Sequence, residues 1–126
     1  MKHLPIIESM IIPHKSQRYD TAGDYWITKR GNWQIRISEM KPDYEFMVLI
    51  HELIEFYLTQ KRGISEESIT YFDTGEGAES DDPGTMKNAP YHKEHMFSTK
   101  IEKLLCKELN IDWEKYDKSF SKLKYL

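Results

Sequence analysis

The sequence predicts an α+β fold, in which a small antiparallel sheet (an N-terminal strand plus a hairpin) packs on a buried helix and two further C-terminal helices. Three observations predict it. Apolar and polar residues alternate strictly over 33–38, an oily run over 46–58 gathers its polar side chains on one arc of a helix, and helical patterns follow Pro90 and Asp112. The 126 residues suffice for one domain with a real core and are too few for a second, and three Trp, eight Tyr and five Phe supply the bulk.

The apolar run 6–12, closed by Pro13, reads as the first strand. A hairpin follows, with strand 25–29, a turn at Arg30-Gly31-Asn32 and strand 33–38. In the second of these, Trp33, Ile35 and Ile37 point to one face and Gln34, Arg36 and Ser38 to the other, the pattern of a strand with one wet side. Pro42 and Asp43 open a helix expected to run to about Arg62 and to end at Gly63. Ser65 caps a short helix through Glu66 to Phe72. Residues 73–88 are rich in Gly, Pro and acids and read as a flexible loop, a candidate lid. Their acids lack the alternating register of a calcium-binding EF-hand loop. Pro90 suits the first turn of a third helix, over 91–109, which Asn110 can end. Phe97, Ile101, Leu104, Leu105 and Leu109 define its expected core face. Asp112 caps a final amphipathic helix over 113–123, with Trp113, Tyr116, Phe120 and Leu123 as its stripe.

The chemistry lies in Val48-Leu49-Ile50-His51-Glu52-Leu53-Ile54-Glu55-Phe56. On a helix advancing about 100° per residue, Glu55 lies about 40° and Glu52 about 100° from His51, so all three share one arc of a helix otherwise oily nearly all round. Such groups are costly to bury without a partner, and a cleft or a metal ion would supply one. His51 and Glu55 can present a nitrogen and an oxygen to one cation, while Glu52 reaches a water bound to it. A further ligand is needed, and Tyr91-His92-Lys93-Glu94-His95 is the best source. His92 and His95 are three apart and could supply one ligand or two. The apolar stripe favours His95 or Glu94 over His92 as the inward residue, and first-turn geometry keeps His92 in play. His3 and His14 have no spaced partner and read as surface residues.

His51-Glu52-Leu53-Ile54-Glu55 resembles the HExxH helix of the zincin metallopeptidases, with Glu55 in place of the second histidine. With a third ligand from His92 or His95, the site would have the two-His, one-Glu composition of the thermolysin type. The acidic Asp-Pro-Gly loop and Ala-Pro-Tyr-His-Lys-Glu-His are also similar to small uncharacterised proteins of tailed phages and prophages. The zincin likeness implies a zinc hydrolase acting on peptides, with Glu52 as general base and His51, Glu55 and one of His92 or His95 as ligands. Tyr91 stands beside these ligands as a candidate oxyanion donor.

Two other readings remain open. The ligands could activate water against a phosphoester, with Asp73 or Glu94 as the only donors for a second cation. Alternatively, His51, Glu55, His92 and His95 could close around a purely structural metal in a phage-type protein that binds a host factor. A carboxylate-bridged di-iron site is a poorer reading, because the chain has no Glu-x-x-His pair. The net charge of -3 and the dispersed lysines argue against general nucleic-acid binding. The single cysteine, Cys106, cannot make an internal disulfide, and no run approaches a membrane span or secretion signal, so a cytoplasmic protein is expected, in the host if phage-encoded.

Overall fold

The computed structural model describes residues 2–126. Its sheet has three strands, β1 (Ile7–Ile12), β2 (Gly23–Ile27) and β3 (Trp33–Ser38), with β3 in the middle. β2 and β3 form the expected antiparallel hairpin, from Gly23 beside Ile37 to Ile27 beside Trp33. β2 starts two residues earlier than the β-forming residues suggest, because Gly23 and Asp24 are buried against the helical layer and Arg18. β1 runs parallel to β3, so the sheet is mixed rather than antiparallel throughout. The connection explains this. Residues 13–22 step across the Ser38 end of β3 to reach its far side, and the hairpin then returns β3 between the other two strands.

That crossing also covers the face expected to be wet. Gln17 Nε2 donates to the Arg36 carbonyl and to Ser38 Oγ at 3.1 Å each, and His14 Nδ1 lies 2.8 Å from Ser38 Oγ. Ser38 and His14 are therefore buried, Gln34 is buried beside Glu8 of β1, to which it donates at 3.2 Å, and His14 is not the surface residue its lack of spaced partners suggested. Polar side chains here satisfy one another under a loop, which alternation along one strand does not reveal.

Four helices, α1 (Pro42–Lys61), α2 (Glu66–Thr74), α3 (His92–Glu108) and α4 (Trp113–Ser119), complete an α+β fold. α1 lies on the face of Trp33, Ile35 and Ile37, and Phe56 stacks on Tyr25 and Trp33 at 4.4 and 4.1 Å. Pro42 opens α1, Gly63 follows it at φ 74°, and Asn110 takes φ 56° after α3, as their residue types favour. The Ser65 and Asp112 side chains cap α2 and α4. α2 continues through Asp73 to Thr74, and the rest of the acidic segment is a succession of turns with a 3-10 turn at Pro83–Thr85.

Two helices present faces that their apolar patterns did not foretell. α1 is not buried nearly all round, since Phe46 and Tyr57 remain 46% and 41% exposed. On α3 the expected core residues Phe97, Leu104 and Leu109 are exposed, and the buried stripe is Glu94, His95, Ser98, Glu102 and Cys106. The small and polar face of α3 is turned to α1. The next section gives the reason.

Candidate metal centre

Two adjacent polar arcs meet between α1 and α3. His51 and Glu55 are one turn apart on α1, His95 opens the facing turn of α3, and all three residues are buried. Their inward atoms form a nearly equilateral triangle. His51 Nε2 lies 2.9 Å from Glu55 Oε2, His95 Nδ1 lies 2.9 Å from the same oxygen, and the two nitrogens are 3.1 Å apart. Among the described residues these three form the group able to hold a metal ion.

Hydrogen bonding alone accounts for this triangle poorly. If both rings donate to Glu55, two N–H groups crowd together across the third side. If one ring accepts from the other, its lone pair accepts only one of two donors, and its own contact with the carboxylate becomes repulsive. A cation above the triangle uses all three lone pairs at once. Ligand atoms on one tetrahedral zinc stand about 3.3 Å apart, so the observed sides need only a few tenths of an ångström of expansion.

Each candidate ligand is also held from behind. His51 Nδ1 is hydrogen-bonded to Glu102, whose other oxygen accepts from the Tyr116 hydroxyl at 2.5 Å, which leaves Nε2 for the centre. Glu55 Oε1 accepts from the Tyr25 hydroxyl at 2.9 Å, which leaves Oε2. Asp82 Oδ1 lies 2.9 Å from His95 Nε2, though without the alignment of a full hydrogen bond. Such outer partners fix ring orientation and raise ligand basicity at metal sites. The polar stripe of α3 follows from this arrangement. His95 and Glu102, two turns apart, both serve the centre, and Ser98 between them lets the helices approach.

The charges are strongly coupled. Burial works against a charged His51, but its bonds to Glu102 and Glu55 prevail and hold its pKa well above 6.5. Burial likewise opposes charge on His95, yet Asp82 and Glu55 raise it to about 10. Burial pushes Glu55 up, but hydrogen bonds from both histidines outweigh it and bring it down to about 2. Glu52 moves the other way. Burial, with the charge of Glu55 adding, raises it well above 4.5, and the two histidines offset this only in part.

Glycine packing sets the walls. A Cβ on Gly23 would stand 2.3 Å from Glu52 Oε1, and one on Gly84 would stand 2.3 Å from the His95 ring, so both positions admit only the bare backbone. Beyond His95, Tyr91 sets its ring edge-on to the imidazole and donates its hydroxyl to Asp73 at 2.6 Å, while Tyr19 donates to the other Asp73 oxygen at 2.9 Å. Burial, partly offset by these bonds, raises Asp73 to about 6.

Of the residues singled out in the sequence, the structure brings His51, Glu55 and His95 together and sets Glu52 beside them. His92 turns away, its Nδ1 2.9 Å from the Gly84 carbonyl. Glu94 is paired with Arg62 at 2.7 Å and Asp73 with the two tyrosines, so neither stands free as a donor for a second cation. Glu102, Tyr116, Tyr25 and Asp82 escaped sequence reasoning. Only Glu102 left a signal, in its seven-residue spacing from His95.

The fold and this cluster define an α+β protein with a buried histidine–carboxylate group that could hold a metal ion. No protein-family model, curated protein or solved structure matches this chain. No helix among the described residues is long and apolar enough to cross a membrane.

Proposed function

We propose that this protein is a zinc-dependent hydrolase acting on peptides, with His51, Glu55 and His95 as the metal ligands and Glu52 as general base. The observation that carries the reading is the three-atom triangle, with Glu52 next to His51 on α1 and its carboxyl, coupled to all three members, raised well above its usual range. Three protein ligands leave a fourth position for water, and zinc lowers the pKa of such a water toward about 7. Glu52 would take the proton as water attacks the carbonyl and return it to the leaving amine, a role that a carboxyl raised by burial suits better than an ordinary one. Tyr91, its hydroxyl engaged by Asp73, orients His95 in this reading, and an oxyanion role would require that bond to open. His92, bonded to the 83–85 turn, leaves the centre with three ligands, which favours an open site over a closed structural one. Zinc suits the mixed nitrogen and oxygen donors.

The groove beside β2 suits an extended substrate. α2 covers part of that edge, where Glu66 Oε1 accepts from the Ile27 amide at 3.3 Å, and a groove of about 450 Å³ remains, lined by Arg18, Trp26, Thr70 and Tyr71 among others. Arg18 on its lining bonds Asp24, the neighbour of Gly23, which in turn packs against Glu52. A peptide laid there would bring a carbonyl toward the centre.

The test is turnover of an unstructured peptide mixture by zinc-loaded protein, followed by mass spectrometry. Cleavage that a chelator abolishes, and that Glu52→Gln lacks while keeping its zinc, is the expected result. Equal cleavage by Glu52→Gln would overturn the base assignment, and a zinc-loaded wild type that cleaves nothing would overturn the peptidase reading.

A further inference from the structure

The side of α1 away from the centre poses a separate question. Exposed large apolar side chains gather there, with Ile7 and Ile11 on β1 and Phe46 and Tyr57 on α1, while Ile6 and Met10 lie on the opposite face of the same sheet edge. The helix turn explains the grouping. Phe46 and Tyr57 lie within about 20° of each other on the wheel, and Tyr57 sits 6.4 Å from Trp33, which is the β3 partner of Ile7. Among the described residues β1 is also a free sheet edge, with no Lys and no Pro inside it and with its one charge, Glu8, bonded to Gln34. Monomeric proteins usually blunt such edges with charge, proline or a covering segment.

The geometry points to a second copy of this chain as the occupant, with two β1 strands pairing antiparallel across a two-fold axis into one six-stranded sheet. The ladder decides which groups are free. Trp33 N donates to the Ile6 carbonyl and Glu39 N to the Ile12 carbonyl, so the even-numbered residues of β1 bond to β3 and Ile7, Ser9 and Ile11 turn their backbone groups outward. A register centred on Ser9 is self-complementary. It sets Ile7 against the Ile11 of the second copy, Ser9 against Ser9, and Glu8 against Met10, so the two carboxylates do not face each other. The amount of surface fits too. The six exposed apolar side chains present on the order of 600 Å² per copy, against about 800 Å² per partner for a standard stable interface. Both α1 helices then stand on one face of the joined sheet, with Phe46 and Tyr57 of each turned toward the central strands and both candidate metal centres facing outward.

Sedimentation velocity at about 50 µM chain, above the micromolar dissociation constants at the weak end for interfaces of this size, tests the proposal. The wild type is expected at about twice the 15.1 kDa chain mass. Ser9→Pro, which removes an outward N–H and leaves the bonds to β3 in place, is expected at the monomer mass with unchanged far-UV circular dichroism. Ile11→Lys, which keeps the backbone and charges the edge, is expected to be monomeric too, so a folding failure of the proline variant would not decide the matter. A wild type of monomer mass, or a folded Ile11→Lys protein that stays dimeric, would overturn the proposal.

Discussion

The molecule buries two histidine clusters built from the same kinds of residue, and they are arranged on opposite principles. Around His14 the contacts form a chain. One ring nitrogen faces Ser38 Oγ at 2.8 Å, the other faces Asp20 at 2.7 Å, and Gln17 and the Thr21 carbonyl complete the serine. Both ring nitrogens of His14 and the Ser38 hydroxyl have partners of their own, and Ser38 is fully buried, so the serine–histidine–aspartate sequence of contacts has no route to a substrate. Around His51 and His95 the contacts converge. Three atoms share one point, each candidate ligand is braced from behind, and a single cation could use all three lone pairs at once. The difference teaches that residue type and burial do not identify a site. Convergence of lone pairs does.

The sharpest way to break this comparison is to remove one histidine from each cluster. His51→Ala should abolish stoichiometric zinc binding. His14→Ala should leave one zinc per chain and lower stability by about 1–3 kcal/mol, the usual effect of leaving buried partners unsatisfied. Zinc content and thermal unfolding report both, and loss of zinc from the His14 variant would erase the distinction.

The two glycine walls separate ligand from base. Gly84→Ala should push the His95 ring and weaken zinc affinity about 10- to 100-fold, a loss of the size seen when ligand orientation is disturbed. Gly23→Ala should displace Glu52 and spare zinc affinity, with peptide turnover falling by about 10²-fold or more. Competition against a chromophoric chelator distinguishes them. Equal zinc affinities in the two variants would contradict this division of roles. Tyr116→Phe, acting on His51 only through Glu102, should weaken zinc binding by about 10-fold or less.

Proton release sharpens the comparison further. In the metal-free protein His95 titrates at about 10 and the bonds of His51 to Glu102 and Glu55 hold it well above 6.5, so both favour the charged form at neutral pH. A divalent cation replaces those protons, so zinc binding should release about two per ion, measurable by calorimetry in buffers of different ionisation heat. The stability of the two forms then depends on pH in opposite senses. For metal-free protein, the His95 contribution is fully present below about 6.5 and is lost as pH rises through about 10. The Glu55 contribution is present above 4.5 and is lost as pH falls through about 2. Zinc-loaded protein should instead gain stability from pH 5 to 8 as protons cease to compete with the metal.

Much of this was legible in the sequence, for definable reasons. The hairpin and α1 follow from local periodicity, the helix ends from Gly63, Ser65, Asn110 and Asp112, and His51, Glu52 and Glu55 from polar residues in an oily helix. The parallel β1, the covered Ser38 face and the buried His14 depend on where residues 13–22 cross, which no local pattern encodes. On α3 the apolar stripe predicts a core face of which Leu105 packs on the core while Phe97, Leu104 and Leu109 are exposed. Its buried face is set by His95 and Glu102 instead, and an exposed Leu104 costs less than an unpaired buried carboxylate.

The central claim is tested most directly by the metal content of untagged, dialysed protein after exposure to zinc, measured by plasma mass spectrometry beside Glu55→Gln. That variant keeps the shape of the side chain and removes the charge on which both histidines converge. The account predicts about one zinc per chain in the wild type and none in the variant. No zinc in the wild type, or equal zinc in both, would contradict it and reduce the cluster to a buried polar network like the one around His14.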